Sequence, residues 1–476
     1  MLKRYLDRAY VWFGSSTARK WIFGLFIVQV VYLIFYMRIG VPPDELTHIR
    51  FIEHYANNSL SPLISEQKSD FFLGDVTREI SFLYHYLLSL VYRVLPVPVL
   101  AKYVIFRFMG LAMSVVTLIF GLKIAKLLGI DQKLSNLSLF IVTNASEWLL
   151  MSAAVNNDNA VWMLTSIGIY LLLLLWQKPL SLNVALTLVL TILAGSITKK
   201  TFLPIGAVLL VALFAIAWRK KSQLSGLVRK IKFSHMPVII ALVLLLGLAG
   251  ERLGGNLLHY QGLEASCDQI HTVEQCSEFG VFRRNYRLTA NRSEIDTSLL
   301  EYVPFWVYKN TDRVFGPQAW TGDEPPAVWF TVGIIGMSII GAASLLWKSI
   351  RGIKQKNNRQ LLFVQLLSLG FVALNLAVNY NIYEKFSVMG LALQGRYIFP
   401  VLMPLTLCIV AGIFTTKFTK NYKQYHPVLV AVFCAILIWQ SGISRILSVD
   451  KYVVNKISPV VIAEPQKAIG PWEPGI

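Results

Sequence analysis

A chain of 476 residues with 55% hydrophobic and only 15% charged residues is too apolar for a soluble domain of this length and reads as a polytopic membrane protein. Its net charge of +19 does not point to nucleic acid, because the lysines and arginines fall in short clusters between apolar runs, the positive-inside pattern of a chain threaded through a bilayer. The short basic loops also leave no room for a nucleotide-binding domain.

The first apolar run, about Trp21 to Tyr36, follows Lys3, Arg4, Arg8, Arg19 and Lys20 and continues through Met37 and Ile39 without a small-residue cleavage site. It reads as a retained first span, with no cleavable signal peptide. Directly after it comes Pro42-Pro43-Asp44-Glu45-Leu46-Thr47-His48. The prolines disfavour helix before them and favour its start just after, which predicts Asp44 in a first helical turn, kept ionised by the positive helix end and sharing a face with His48. A charged anchor at a membrane edge accounts for the charges, but not for two prolines, two acids and a histidine in so short a stretch.

The next segment, Phe82 to Leu95, is apolar but short for a crossing and carries Tyr84, His85, Tyr86, Tyr92 and Arg93. Its status decides the side of every later loop. If it does not cross, the clusters Lys123/Lys126/Lys133, Lys178, Arg219/Lys220/Lys221/Arg229/Lys230/Lys232, Lys348/Arg351/Lys354/Lys356/Arg359 and Lys417/Lys420/Lys423 all share the cytoplasm with the basic N-terminus. That arrangement obeys the charge rule, so the segment is read as an interfacial or re-entrant helix.

The fold class that follows is all-α, with about eleven transmembrane helices at roughly 21–39, 101–122, 134–152, 159–176, 182–198, 201–218, 236–250, 326–347, 361–380, 397–416 and 427–446. The N-terminus lies inside and the tail outside. The expected organisation is an N-terminal transmembrane module over 1–250, with the first external loop at 40–100; an external loop or small cap over 251–325; C-terminal transmembrane helices over 326–446; and an external tail over 447–476. No short-period repeat is evident.

Within the second external loop, Cys267 and Cys276 are predicted to form a disulfide, since the exterior is oxidising and the spacing allows loop closure. His271 alone is too little for a zinc site there. Aromatics of the same loop, among them Phe305, Trp306, Tyr308 and Trp320, suit a membrane surface.

Ionisable residues at membrane depth are costly unless paired, solvated or functional. Asn156-Asn157-Asp158 at the end of the third span, Thr198-Lys199-Lys200 between the fifth and sixth, and Gln394-Gly395-Arg396-Tyr397 opening the tenth all fall on the face that carries Asp44. Arg107 and Glu147 lie toward the same side, where they could pair with each other or with this cluster. Each has a plainer reading: the lysines as headgroup contacts, Asp158 as a helix cap, Arg396 as an interfacial anchor. Together they place acids and bases on one face of a bundle, the layout for holding a phosphate leaving group beside a general base.

These residues resemble a family. Pro42-Pro43-Asp44-Glu45 with His48, Asn156-Asn157-Asp158, Thr198-Lys199, and Gln394-Gly395-Arg396-Tyr397 with Pro400 are similar in order and spacing to the bacterial membrane proteins of domain of unknown function 2142, themselves similar to the GT-C membrane glycosyltransferases. The likeness runs over about residues 20 to 416. One departure is that Leu46 and Thr47 stand where the family usually has proline and alanine.

The resemblance implies a GT-C-like fold with juxtamembrane helices in the first external loop, Phe82 to Leu95 among them, in a bacterial inner membrane with the active site facing the periplasm or exterior. It implies an inverting transferase that takes a sugar from a polyprenyl-phosphate donor to a surface glycan, lipid or protein. Asp44 would be the catalytic base, Asp158 a second acid, and Glu45 or His48 would orient Asp44 or bind the acceptor. Arg396, Lys199 and Lys200 would bind the phosphate, with Asn157, Gln394 and Tyr397 beside them. Metal dependence stays open: Asp44, Glu45, His48 and Asp158 could hold one divalent cation, magnesium or manganese, or act without one, and the basic neighbours favour the metal-free version. A polysaccharide polymerase or ligase, or a lipid or solute transporter, are the competing readings.

Overall fold

Ser15 accepts a hydrogen bond from the Ala18 amide at 3.0 Å and so starts the first long apolar helix, Ser16–Tyr36 (α2), after a short amphipathic one, Leu2–Phe13 (α1). The computed structural model describes residues 2–58, 81–223, 233–270, 272–278, 280–293, 295, 297–316, 326–414, 416, 419 and 421–447. Arg229, Lys230, Lys232, His271, Trp320, Lys417, Lys420 and the tail from 448 onward lie outside the described residues.

The chain continues as Glu45–Asn58 (α3), Leu83–Val94 (α4), Val99–Leu127 (α5), Gln132–Thr143 (α6), Ser146–Ser152 (α7), Asn157–Gln177 (α8), Leu182–Ser196 (α9), Leu203–Arg219 (α10) and Met236–Ala249 (α11). Short helices follow at Gly255–Tyr260 (α12), Cys267–Ile270 (α13), Val273–Glu278 (α14) and Gly280–Ala290 (α15). The last part holds Leu299–Phe315 (α16), Val328–Arg351 (α17), Lys356–Phe386 (α18), Leu402–Ile413 (α19), His426–Gln440 (α20) and Gly442–Leu447 (α21). No strand occurs among the described residues.

Among the described residues nine helical segments are long and apolar enough to cross a membrane: Ser16–Tyr36, Val99–Leu127, Asn157–Gln177, Lys200–Arg219, Met236–Tyr260, Val328–Arg351, Lys356–Phe386, Gly395–Ile413 and Lys423–Leu447. Many carry large apolar side chains outward, such as Val211, Phe214, Trp218, Val243, Leu244, Ile339 and Trp439, which suits a hydrocarbon solvent.

Two of the eleven expected spans differ. The one at 182–198 is the 15-residue α9, and the one at 134–152 is broken. Asn144 turns its Nδ2 back to the Phe140 carbonyl at 2.8 Å, and Ser146 donates to the Phe315 carbonyl at 2.8 Å. These local and long-range bonds substitute for the helical ladder and leave α7 as a separate, wholly buried seven-residue helix.

The segment Phe82 to Leu95 is the 12-residue α4, about 18 Å long at the helical rise, well short of a hydrocarbon core of about 30 Å. It packs against α3, and the two form a layer beside α5 and α8. Met236–Tyr260 is one continuous helical stretch with a wide turn at Gly250–Gly254. Cys267 and Cys276 are joined by a disulfide, Cα atoms 5.8 Å apart.

The core that positions the site is aromatic. Trp148 of α7 stacks on Trp162 of α8 with ring centroids 4.5 Å apart, and Phe399 meets both at 5.4 and 5.0 Å. Phe399 belongs to the tight 3-10 turn Gly395–Val401, so this cluster ties the segment bearing Arg396 to the helix bearing Asp158.

Candidate active site

Pro42, Pro43, Asp44 and Glu45 form a tight turn: the Glu45 amide donates to the Pro42 carbonyl at 3.2 Å, with Asp44 at φ +62°. Proline second and a left-handed residue third is the type II pattern. The His48 amide then donates to the Asp44 carbonyl at 3.0 Å, so Asp44 stands at the entry to α3 rather than inside its first turn, a correction to the sequence expectation. Aspartate tolerates this conformation better than most residues, and at a polar cluster such an outlier marks backbone held for a purpose.

Glu45 does the holding. Its Oε1 accepts from Arg107 Nε at 2.8 Å and the Val155 amide at 3.1 Å, and its Oε2 from Arg107 Nη2 at 2.7 Å and the Gly40 amide at 2.8 Å. Arg107 spends its remaining donors on the carbonyls of Ile34, Met37 and Arg38 at 2.8–3.0 Å. With Glu45 0% exposed and four bonds made, no lone pair is left for a substrate; this carboxylate braces the loop and is not placed to react. Arg107 therefore pairs with Glu45 and not with Glu147, which lies instead against Gly395.

Asp44, Arg396, Asp158 and Lys199 make a chain of alternating charge. Arg396 Nη2 donates to Asp44 Oδ2, its Nε lies 3.7 Å from Asp158 Oδ2, and Lys199 Nζ donates to Asp158 Oδ1 at 2.7 Å. Arg396 also donates to Gln394 Oε1 at 2.6 Å and to the Pro43 carbonyl at 3.2 Å, and is 1% exposed. It is thus enclosed by protein, whereas the Asp44 side chain is 47% exposed and that of Lys199 17%. The cation with access to a ligand is Lys199. Burial opposes ionisation of Asp44, but Arg396, with Lys199, outweighs it and holds the carboxyl below the usual range.

Asn156 accepts from the Asp158 amide at 2.8 Å as the cap of α8 and donates to the Pro43 carbonyl at 3.2 Å, which links this helix start to the turn. The triplet 156–158 therefore opens the fourth expected span rather than closing the third. Asn157 donates to the Thr198 carbonyl at 3.3 Å and ties α8 to the segment carrying Lys199. Tyr397 is half-buried with its ring centroid 6.0 Å from Lys199 Nζ and 5.7 Å from the Arg396 guanidinium carbon. Lys200 parts from the cluster, pairing with Glu264 at 2.8 Å with its side chain 63% exposed.

His48 is buried, its Nδ1 2.8 Å from Nε2 of His85 in α4, whose Nδ1 lies 3.1 Å from the Ser81 carbonyl. The planes are 15° apart and the centroids 5.1 Å apart, which with so short a nitrogen contact puts the rings edge to edge. Burial first, then Lys199, lower the His48 pKa to about 3 against the pull of Asp44; burial and His48 likewise push His85 well down. Both rings are neutral at physiological pH. His85 had no assigned part in the sequence reading; a histidine inside a short apolar helix was the available signal.

As a cation site the expected set does not assemble. Glu45 is saturated, Asp158 is bonded to Lys199, and among the described residues no group of three or more His, Cys, Asp or Glu is placed to hold a metal ion.

No family model matches the chain, and no curated protein sequence matches it. Among solved structures it is similar to the oligosaccharyltransferase of Archaeoglobus fulgidus tethered to an acceptor peptide with an NVT sequon (11% identity, 94% of this chain and 57% of that one, TM-score 0.48). It is also similar to AglB of the same archaeon in complex with an inhibitory peptide and a dolichol-phosphate (12% identity, 94% and 58%, TM-score 0.49). A third is apo ArnT of Cupriavidus metallidurans (13% identity, 84% and 78%, TM-score 0.36). The chain thus spans less than three-fifths of the two archaeal chains, and likenesses at these scores assign no activity.

Proposed function

We propose that this protein is a membrane glycosyltransferase of the GT-C type, moving a sugar from a polyprenyl-phosphate donor to a hydroxyl of a surface glycan, lipid or protein on the outer face of the membrane. The observation that carries the reading is Asp44: an ionised carboxylate in a braced left-handed turn, one oxygen taken by buried Arg396 and the other open, next to a cation that can reach a ligand.

The acceptor hydroxyl approaches Asp44 Oδ1. As its oxygen attacks the anomeric carbon, the proton passes to Oδ1, the carbon–oxygen bond to the lipid phosphate breaks, and the configuration inverts. The phosphate leaves with its negative charge beside Lys199, a point charge on a flexible stem. Arg396 acts on Asp44 rather than on the phosphate: it aims the carboxylate and keeps it charged. Lys200, paired away on Glu264, has no part in this step. The step takes no divalent ion, because Lys199 supplies the positive charge.

The experiment is to purify the wild type and Asp44→Asn, reconstitute each with total membrane lipid from the expression host, and follow sugar transfer to the surface glycan by mass spectrometry. Transfer by the wild type and its loss in Asp44→Asn are expected. Equal transfer by both would remove the enzyme reading.

A further inference from the structure

The histidine pair carries information that neither ring holds alone. The Ser81 carbonyl can only accept, so His85 Nδ1 carries the proton in the 3.1 Å bond to it. A neutral imidazole has one N–H, so His85 Nε2 is bare and accepts in the 2.8 Å contact, and His48 Nδ1 must be the donor. His48 Nε2 is therefore left with a lone pair. That nitrogen has no hydrogen-bond partner among the described residues, and His48 keeps 7% of its surface exposed.

The bonds place this lone pair in the same cluster as the Asp44 carboxylate, since His48 lies one helical turn after Asp44 and senses its charge together with those of Lys199 and Arg396. We infer that His85 is a positioning residue that locks His48 in the Nδ1–H form, so that His48 Nε2 accepts a hydrogen bond from a hydroxyl of the bound sugar or acceptor and rejects a phosphate oxygen. A phosphate ester oxygen brings lone pairs only and finds no donor at this nitrogen; it does find one at Lys199 Nζ. The cluster thus has a polarity, hydroxyl toward His48 and phosphate toward Lys199. A proton does not rest on His48 during the reaction, because burial, with the charges of Lys199 and Arg396, disfavours the imidazolium more than Asp44 favours it; the ring orients a hydroxyl whose proton goes to Asp44. The inference rests on the glycosyl-transfer reading for its ligand, but not for its tautomer.

The test uses the full chain labelled with nitrogen-15 histidine in lipid nanodiscs, assigned with His48→Gln and His85→Gln. Expected is a His48 ring with protonated Nδ1 and bare Nε2, the Nε2 resonance moving toward the protonated range as n-octyl glucoside is titrated in and staying fixed with undecaprenyl phosphate. In His85→Phe the His48 tautomers should mix. A proton on His48 Nε2 in the wild type, or a response to the phosphate and none to the glucoside, overturns the inference. The wild-type spectrum decides even where a variant fails to fold. Neither readout needs turnover, so an inactive protein with the expected spectrum counts against glycosyl transfer alone.

Discussion

Glu45 and Arg107, 62 positions apart, meet through two charge-assisted hydrogen bonds, the Nη2 to Oε2 bond at 2.7 Å, with both side chains buried. The pair joins the end of α2, the turn at Asp44 and the start of α8 into one bracket. Bracing thus falls on Glu45, while the adjacent Asp44 keeps one oxygen open.

Glu45→Gln leaves the Arg107 charge buried without its counter-charge, a change that costs about 3–5 kcal/mol. Thermal unfolding in detergent, followed by tryptophan fluorescence, should show a clear drop in the midpoint. A midpoint equal to that of the wild type would mean that Glu45 does not brace the loop.

Asp44→Asn keeps a side chain that accepts the left-handed backbone and removes the basic oxygen. Sugar transfer should fall about a hundred- to ten-thousandfold, the usual share of a general base, while the melting midpoint falls by less than in Glu45→Gln, because Asp158 still faces the buried Arg396. Loss of fold in step with loss of activity would assign Asp44 a structural role instead.

Lys199→Met withdraws the cation that reaches the leaving phosphate, and a hydrogen bond to a charged group is worth about 1.5–3 kcal/mol, or about ten- to a hundredfold in affinity. The effect should fall on the donor lipid, measured as a raised donor KM with the acceptor KM held. Chelation with EDTA should leave turnover unchanged, and restoration by added magnesium would reverse that expectation.

Gly395→Ala tests the turn that presents Arg396. A Cβ there would stand 2.7 Å from Glu147 Oε2, 2.8 Å from the Val314 amide nitrogen and 2.9 Å from the Arg313 carbonyl carbon. Two of these are backbone atoms that cannot give way, so the turn must shift and with it the grip on Asp44. Activity should drop by more than stability does, compared by assay and melting curve on one preparation.

The histidine pair sets a pH limit. His48 has a folded-state pKa of about 3 against 6.5 for the free side chain, and His85 is also lowered. A depressed histidine pKa means that the unfolded chain binds more protons below 6.5, so this contribution is full above 6.5 and is lost as the pH falls through the window toward 3. Asp44, also lowered, adds to the loss at the acid end of that window. Melting midpoints measured from pH 7 to pH 4 should fall steadily, and less steeply in His48→Gln. Parallel curves would place the acid sensitivity elsewhere.

The span pattern was readable because hydropathy is a local property: each of the nine long apolar helices among the described residues overlaps a run visible in the sequence. The same holds for α4, whose 12 residues are too few to cross. The break at Asn144–Ala145 was not readable, because it depends on Ser146 finding Phe315, 169 positions away. The site divided in the same way. Asp44, His48, Asp158, Lys199 and Arg396 stood out as costly groups at span ends, and the structure brings them together. Their roles did not follow: Glu45 was expected to orient Asp44 or bind the acceptor, and Arg396 to bind the phosphate alongside Lys199.

By itself the sequence determined that the chain is an α-helical bundle for a bilayer and that a dense acidic and histidine motif follows its first apolar helix. Length, apolarity and charge placement act over one helix at a time, so no partner needs to be known. Tertiary structure alone decided which of two adjacent carboxylates is spent on Arg107 and which stays open, and which cation is enclosed. Those outcomes depend on hydrogen bonds between residues 62 and 352 positions apart, and a buried charge takes whatever partner the packing brings.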